Sequence, residues 1–128
     1  MDDIKSYEAI GGEAAVRLLC NRFYYYMAIL PEVKVIRDMH PADLSSSEEK
    51  LFMFLSGWLG GPQLFVEKFG HPRLRARHLP FKIGPSEFVQ WMMCMHKAMD
   101  DLDPPEPMKT ELMKAIGRLA HHMQNQAE

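Results

Sequence analysis

Apolar residues along this chain recur at helical rather than strand spacing. Val16, Leu19, Phe23, Met27 and Leu30 step by three, four, four and three residues, which keeps them on one face of an α-helix, and Pro31 follows the last of them. No alternating polar and apolar run exceeds a few residues, so no strand is predicted. The next piece, PEVKVIRDMHPADL, is turn-rich and offers only Val33 and Ile36 as an apolar pair before Pro41. SSSEE then places Ser45 three residues before Glu48, the spacing of a capping box at a helix N-terminus. Leu51, Phe54, Leu55, Trp58 and Leu59 form the stripe of that helix, and Gly60, Gly61 and Pro62 end it. Phe65 and Phe69 anchor a looser stretch.

Two longer helices are predicted beyond residue 84. Pro85 suits a first helical turn, and Phe88, Trp91, Met92, Met95, Ala98, Met99 and Leu102 keep the rhythm of threes and fours. DPPEP breaks the chain, and Leu112, Met113, Ile116, Leu119, Ala120 and Met123 make a final amphipathic face. There is no internal repeat and no low-complexity segment. The pattern predicts one all-α domain over residues 1–128, about four substantial helices with shorter ones between them.

Composition narrows the function classes. With 128 residues, 47% apolar and 25% charged, the chain has an ordinary globular balance and length for a single core. A net charge of −2, counting six histidines neutral, supplies no field that draws in nucleic acid or anionic lipid, so neither is an expected partner. The most apolar stretch, Leu51 to Leu59, is far shorter than the roughly 20 residues that span a bilayer. The opening MDDIKSYEAI is unlike a signal peptide. Cys20 and Cys94 make no CxxC pair, and are expected as buried thiols in a reducing cytoplasm. The eleven methionines read mostly as pliable core, although methionine also ligates haem iron and soft metals.

Candidate chemistry concentrates in GHPRLRARHLPFKIG, residues 70–84, with two histidines, three arginines and two prolines. Elsewhere His121 and His122 are adjacent and point about 100° apart on a helix, and His96 lies on the polar side of its helix. His71 and His78 lack the further Cys or His partners that a zinc site requires. Pro72 is placed to open a short helix that Leu79 and Pro80 end, so that His78 projects from its last turn. A lone histidine there reads first as a structural residue. Two features point further: large aromatics at Phe54, Trp58, Phe88 and Trp91 on helices that must face one another, and Arg75 and Arg77 beside the candidate imidazole. A flat apolar cofactor with anionic arms, such as haem, suits that set, but composition alone does not establish it.

The blocks YEAIGG, RFY, FLSGWLGGP and GHPRLRARHLPF, with a tryptophan thirteen residues after His78, resemble the group II truncated haemoglobins in content and order. The resemblance runs from about Tyr7 to Met123. It implies a truncated-globin two-over-two helical sandwich around haem b, with His78 as the proximal iron ligand. It further implies Tyr24 as the distal tyrosine, Trp91 as the tryptophan over the haem, Ser47 as a small distal residue, and Leu51 as the distal leucine. Arg77 becomes a propionate partner; Lys50 is a candidate for the same role, and Phe54 for the apolar wall. At His40 the sequence departs from the aromatic residue that the family usually carries. His40 is open to three readings: a hydrogen-bond donor to the ligand, a sixth iron ligand, or a solvent-facing residue. The donor role is the preferred one.

For function, the resemblance implies reversible binding of O₂ and of other diatomic ligands such as NO and CO. The alternative is an enzyme for NO dioxygenation or peroxide reduction, which would need a separate reductase because no flavin domain is legible. Trp91 would donate an N–H, and Tyr24 an O–H, to a ligand carrying partial negative charge.

Overall fold

The computed structural model describes residues 3–127, with side chains from residue 6 onward. In order, the helices are α1 (Asp3–Ile10), α2 (Gly12–Ile29), a 3₁₀ turn (Pro31–Val33), α3 (Lys34–Asp38), α4 (Ser45–Trp58), α5 (Leu64–Phe69), α6 (Leu74–His78), α7 (Pro85–Leu102) and α8 (Met108–His122). No strand occurs among the described residues, and no helix there is long and apolar enough to cross a membrane. The four substantial helices are α2, α4, α7 and α8. Packing runs α4 on α2, α2 on α7 and α7 on α8, the two-over-two sandwich of a truncated globin.

The periodicity locates the core well. Val16, Leu19, Phe23 and Met27 of α2 are all at most 1% exposed and meet Cys94, Met95, Ala98 and Met99 of α7, each fully buried. α8 contributes Leu112 and Ile116, while its other predicted apolar residues, Met113, Leu119, Ala120 and Met123, are only half-buried. Val33 and Ile36, the lone pair in the turn-rich piece, are both buried and pin that segment to α7. Both cysteines are free and buried. Burial pushes the Cys20 thiol up to about 12 and the Cys94 thiol to about 11, so both stay protonated.

Two local expectations need correcting. The capping box at Ser45 does not form: α4 starts at Ser45 itself, and no side chain caps it from the Leu44 position. Instead the Asp43 carboxylate, two residues earlier, accepts from both the Ser45 backbone N–H and its hydroxyl, at 2.9 and 2.5 Å. A capping box would give the Ser45 N–H to the Glu48 side chain, so Asp43 takes the donor that the box needs. The predicted stripe of α4 also divides into two faces. Leu55 and Leu59 join Phe52 and Ser56 in the core, whereas Leu51, Phe54 and Trp58 are half-buried on a second face. A helix apolar on two sides has two neighbours to satisfy.

The paired glycines before and after this core are required by close approach. Gly11 has φ 122°, which L side chains rarely adopt, and it lets α2 leave α1 at once. At Gly61 the demand is steric: a Cβ would lie 2.4 Å from the Tyr7 ring, and the Tyr7 backbone N–H donates to Leu59 O at 3.0 Å, locking α1 onto the end of α4. Gly61→Ala should therefore cost about 1–3 kcal/mol of stability by overpacking. In urea titrations most of that loss should vanish when Tyr7→Ala is combined with it, and a fully additive pair would refute the contact as its cause.

Candidate functional site

A run of ring contacts leads from the core to one side of the molecule. Phe23, fully buried, meets Tyr24 edge-on at 4.9 Å and Trp91 at 5.0 Å, and Tyr24 meets His40 edge-on at 5.8 Å. α2 supplies Phe23 and Tyr24 on adjacent faces, α7 supplies Trp91, and the turn after α3 supplies His40. Tyr24 is 8% exposed, while Trp91 and His40 are half-buried.

The polar atoms of this run are unusual in what they lack. Among the described residues no acceptor meets the Tyr24 hydroxyl or the Trp91 indole N–H, although neither is cut off completely from solvent. Burial above all, with the nearby Cys20, Glu48 and Cys94, pushes the Tyr24 phenol well above its ordinary value. It therefore remains a donor at every physiological pH. One O–H and one N–H donor, spaced by one buried phenylalanine, are left without a protein partner among the described residues.

His78 is the last residue of α6, and its ring is half-buried. Its Nδ1 lies 2.6 Å from Leu74 O, one helical turn back. A carbonyl only accepts, so Nδ1 carries the proton and the Nε2 lone pair is free, the tautomer a metal needs. His71 is different: it is exposed, precedes the helix, and uses Nδ1 to accept from the Arg73 backbone N–H at 3.1 Å. α6 begins at Leu74, two residues later than Pro72 suggested, because Arg73 takes a left-handed conformation with φ 45°.

His40 repeats the His78 arrangement. Its Nδ1 lies 2.7 Å from Ile36 O, again four residues back. Burial lowers its pKa below 6.5, with the charges of Arg37 and His78 acting in the same direction. This arrangement bears on the donor role expected from sequence. In the neutral form Nδ1–H is committed to Ile36, so Nε2 offers a lone pair and donates only after protonation.

The remaining candidates flank this space. Ser47, Leu51 and Phe54 follow one another by four and three along the half-buried face of α4. Phe54 meets Phe65 edge-on at 6.3 Å, and the Arg77 guanidinium lies 5.3 Å from the Phe65 ring, which connects this face to α6. A cavity of about 240 Å³ bordered by Phe54, Trp58, Phe65 and Pro72 lies along the same line. The Nε of Arg77 donates to Pro72 O at 2.7 Å, a bond that does not engage its terminal nitrogens. Lys50 is exposed, with Nζ 5.9 Å from the Phe69 ring. Next to His78 and Trp91 in the chain, Leu79, Phe81 and Val89 are exposed by 58, 40 and 57%, large apolar side chains without cover.

Arg75 does not serve as sequence suggested. Its Nη1 donates to His122 O at 2.7 Å and to Gln124 O at 3.1 Å, tying α6 to the chain after α8. In that same stretch, sequence patterning misses Asn125 altogether. Its Nδ2 donates to His78 O at 3.2 Å and Phe81 O at 2.9 Å, and its Oδ1 accepts from the Ile83 N–H at 3.0 Å. No periodicity signals a polar residue that acts 47 positions away.

With this geometry in place, similarity to known proteins becomes informative. The sequence profile of the bacterial-like globin family matches residues 5–125. The group 2 truncated hemoglobin YjbI of Bacillus subtilis is 41% identical over 95% of this chain and 89% of its own. A group II 2-on-2 hemoglobin from Agrobacterium tumefaciens is 50% identical with a TM-score of 0.90, over 94% of this chain and 93% of that one. A cold-adapted truncated hemoglobin from Pseudoalteromonas haloplanktis TAC125 is 47% identical with a TM-score of 0.92, over 94% and 98% of the two chains. The chain belongs to the bacterial-like globin family, among its group II truncated haemoglobins, and this membership implies a haem cofactor and the binding of diatomic gas ligands.

Proposed function

We propose that this chain binds O₂ reversibly at the ferrous iron of a noncovalent haem b held by His78. The observation that carries the reading is the pairing of a free Nε2 lone pair on His78 with two unpartnered donors, Tyr24 and Trp91. The residues fit the group: the uncovered Leu79, Phe81 and Val89, with Leu51 and Phe54, suit an apolar macrocycle. The terminal nitrogens of Arg77, with Lys50 across the edge, suit its propionates. Ser47 is short and leaves room on the distal side. The chain contains no CxxCH, the motif of covalent attachment.

Bound at His78, haem would supply an iron able to take a diatomic ligand and to share electron density with it. The chain's own residues do the rest. The Leu74 carbonyl holds His78 in one tautomer and one orientation. The Trp91 N–H and Tyr24 O–H donate toward the ligand and slow its release, as preset donors do wherever negative charge develops. Phe23 keeps both donors in place without offering them an acceptor. His40 in its neutral form accepts, and so bears on how Tyr24 is oriented. NO dioxygenation or peroxide reduction with a separate reductase would use the same residues. Turnover with NO or peroxide, measured beside O₂ dissociation, separates that reading from simple binding.

Three outcomes are expected. His78→Gly should abolish the five-coordinate ferrous spectrum, and added imidazole should restore it; an unaltered spectrum would remove His78 as the ligand. A hydrogen bond to a charged acceptor contributes about 1.5–3 kcal/mol, so Trp91→Phe should speed O₂ release by roughly 10- to 150-fold. CO, which gathers less charge, should respond less, and equal acceleration of both would show that Trp91 acts by bulk.

The third outcome is a pH dependence. Because His40 titrates below 6.5, its Nε2 gains a proton only on the acid side, with the Arg37 charge acting in the same direction as burial and Tyr24 the neighbouring ring. O₂ release should be flat above pH 6.5 and slow as the pH falls through the depressed pKa, where a new donor appears. In stopped-flow measurements His40→Phe should be flat throughout while keeping its haem; a variant that retains the acid limb would assign it to another group.

A further inference from the structure

The iron ligand proposed above stands on the least supported helix of the fold. α6 is five residues long, and none of the five is buried. It starts at Arg73 with φ 45°, a conformation unfavourable for a residue with a Cβ, and no side chain caps it. One turn of helix does not repay its own nucleation in water. Packing does not supply the difference, since α6 shares no broad surface with α2, α4, α7 or α8. Yet the orientation of an iron-bound imidazole follows that of its helix.

We infer that Asn125 is a positioning residue for His78, and that residues 122–126 clamp the proximal helix through hydrogen bonds. The contacts cover the whole stretch from 75 to 83. At its start Arg75 reaches the His122 and Gln124 carbonyls. At its end the backbone N–H groups of Asn125 and Gln126 both donate to Ile83 O, at 2.8 and 3.0 Å. Between them the Asn125 amide uses both of its ends, giving Nδ2 to the His78 and Phe81 carbonyls and taking the Ile83 N–H on Oδ1.

The His78 carbonyl is one of those that a helix C-terminus leaves without an intrahelical partner. It also accepts from the Phe81 N–H at 3.0 Å, so the turn and Asn125 together fix its direction. The imidazole is thus tied from both sides of its own Cα. Leu74 O holds Nδ1, and Asn125 holds the main chain. A side chain that only filled space would need neither amide end.

This inference rests on the haem reading for its consequence but not for the clamp itself, and the experiment separates the two. Asn125→Leu keeps the volume and removes all three side-chain bonds; Arg75→Ala cuts the other attachment without touching Asn125. Gln126→Ala is the control, since Gln126 joins the clamp through its backbone, its N–H on Ile83 O and its carbonyl accepting from Gln124 Nε2. Hydrogen exchange on the full chain as purified should show the amides of Leu79 and Phe81 opening at least about 10-fold faster in both clamp variants, with α2 and α7 unchanged. In the haem-loaded ferrous protein the iron–imidazole stretching band should shift or broaden, and haem should transfer to an acceptor globin several-fold faster. Gln126→Ala should match the parent in all three. Faster exchange with an unaltered iron–imidazole band would overturn the positioning role, and unaltered exchange in both variants would overturn the clamp. A parent protein that takes up no haem would defeat the haem reading alone, because the exchange measurement stands without it.

Discussion

The packing of α2 against α7 around Phe23 is the contact on which the rest of the site depends. Phe23 is fully buried, and the residues that α7 buries at this seam are two methionines, a cysteine and an alanine. Such a set adapts to an aromatic ring without forcing its rotamer, since methionine and cysteine are soft and alanine leaves room. Everything with chemical potential is then measured from this ring. Tyr24 is its chain neighbour and Trp91 lies against it from the other helix. Their separation is thus set by core packing and not by loops. Donors intended for a small ligand need such placement, because hydrogen bonds weaken steeply within a few tenths of an ångström and tens of degrees.

His40 and His78 show one device used twice. Each follows or ends a five-residue helix, and each bonds Nδ1 to the carbonyl four residues back. The arrangement serves the helix and the imidazole together. A short helix has most of its carbonyls unsatisfied at the C-terminal end, and the ring N–H supplies one of them with a donor. In return the ring loses its choice of tautomer, and its Nε2 lone pair is directed away from the helix. The two rings differ in what holds their helices. α3 is pinned by buried Val33 and Ile36 and by the Gln90 side chain, which accepts from the Ile36 N–H at 3.3 Å. α6 has no buried residue and is held by the chain after α8.

How much of this is legible in the sequence follows from the range over which each force acts. The apolar rhythm of α2 and α7 reads directly, because burial on one face of a helix leaves a period of three and four in the sequence. The end of α6 reads from the prolines and from His78 itself. The start of α4 misleads, since a serine three residues before a glutamate looks the same whether or not an aspartate two residues earlier takes the amide. The double face of α4 is hidden for a related reason: Leu51 and Leu55 have equal hydrophobicity, and only the fold says which one faces the core. The roles of Arg75 and Asn125 are illegible in principle. Their carbonyl partners lie 44 to 49 residues away, and a carbonyl has no letter in the sequence.

The unpaired donors connect the structure to its ligand. Phenylalanine at Tyr24 and a purely apolar side chain at Trp91 would satisfy the packing around Phe23 equally well and would bring no polar atom into it. Burial narrows the access of water to both groups without closing it, so each donor is left to solvent or to a ligand. An acceptor that replaces that water comes from outside the described residues. The acceptor must be small, because Tyr24 is already only 8% exposed and Phe23 and His40 occupy its flanks. It must also become negative where it binds, because the surroundings are apolar and a neutral acceptor gains least there. On the reading proposed above, a diatomic ligand carrying partial negative charge would meet both conditions, and neither Tyr24 nor Trp91 would need to move a proton to receive it.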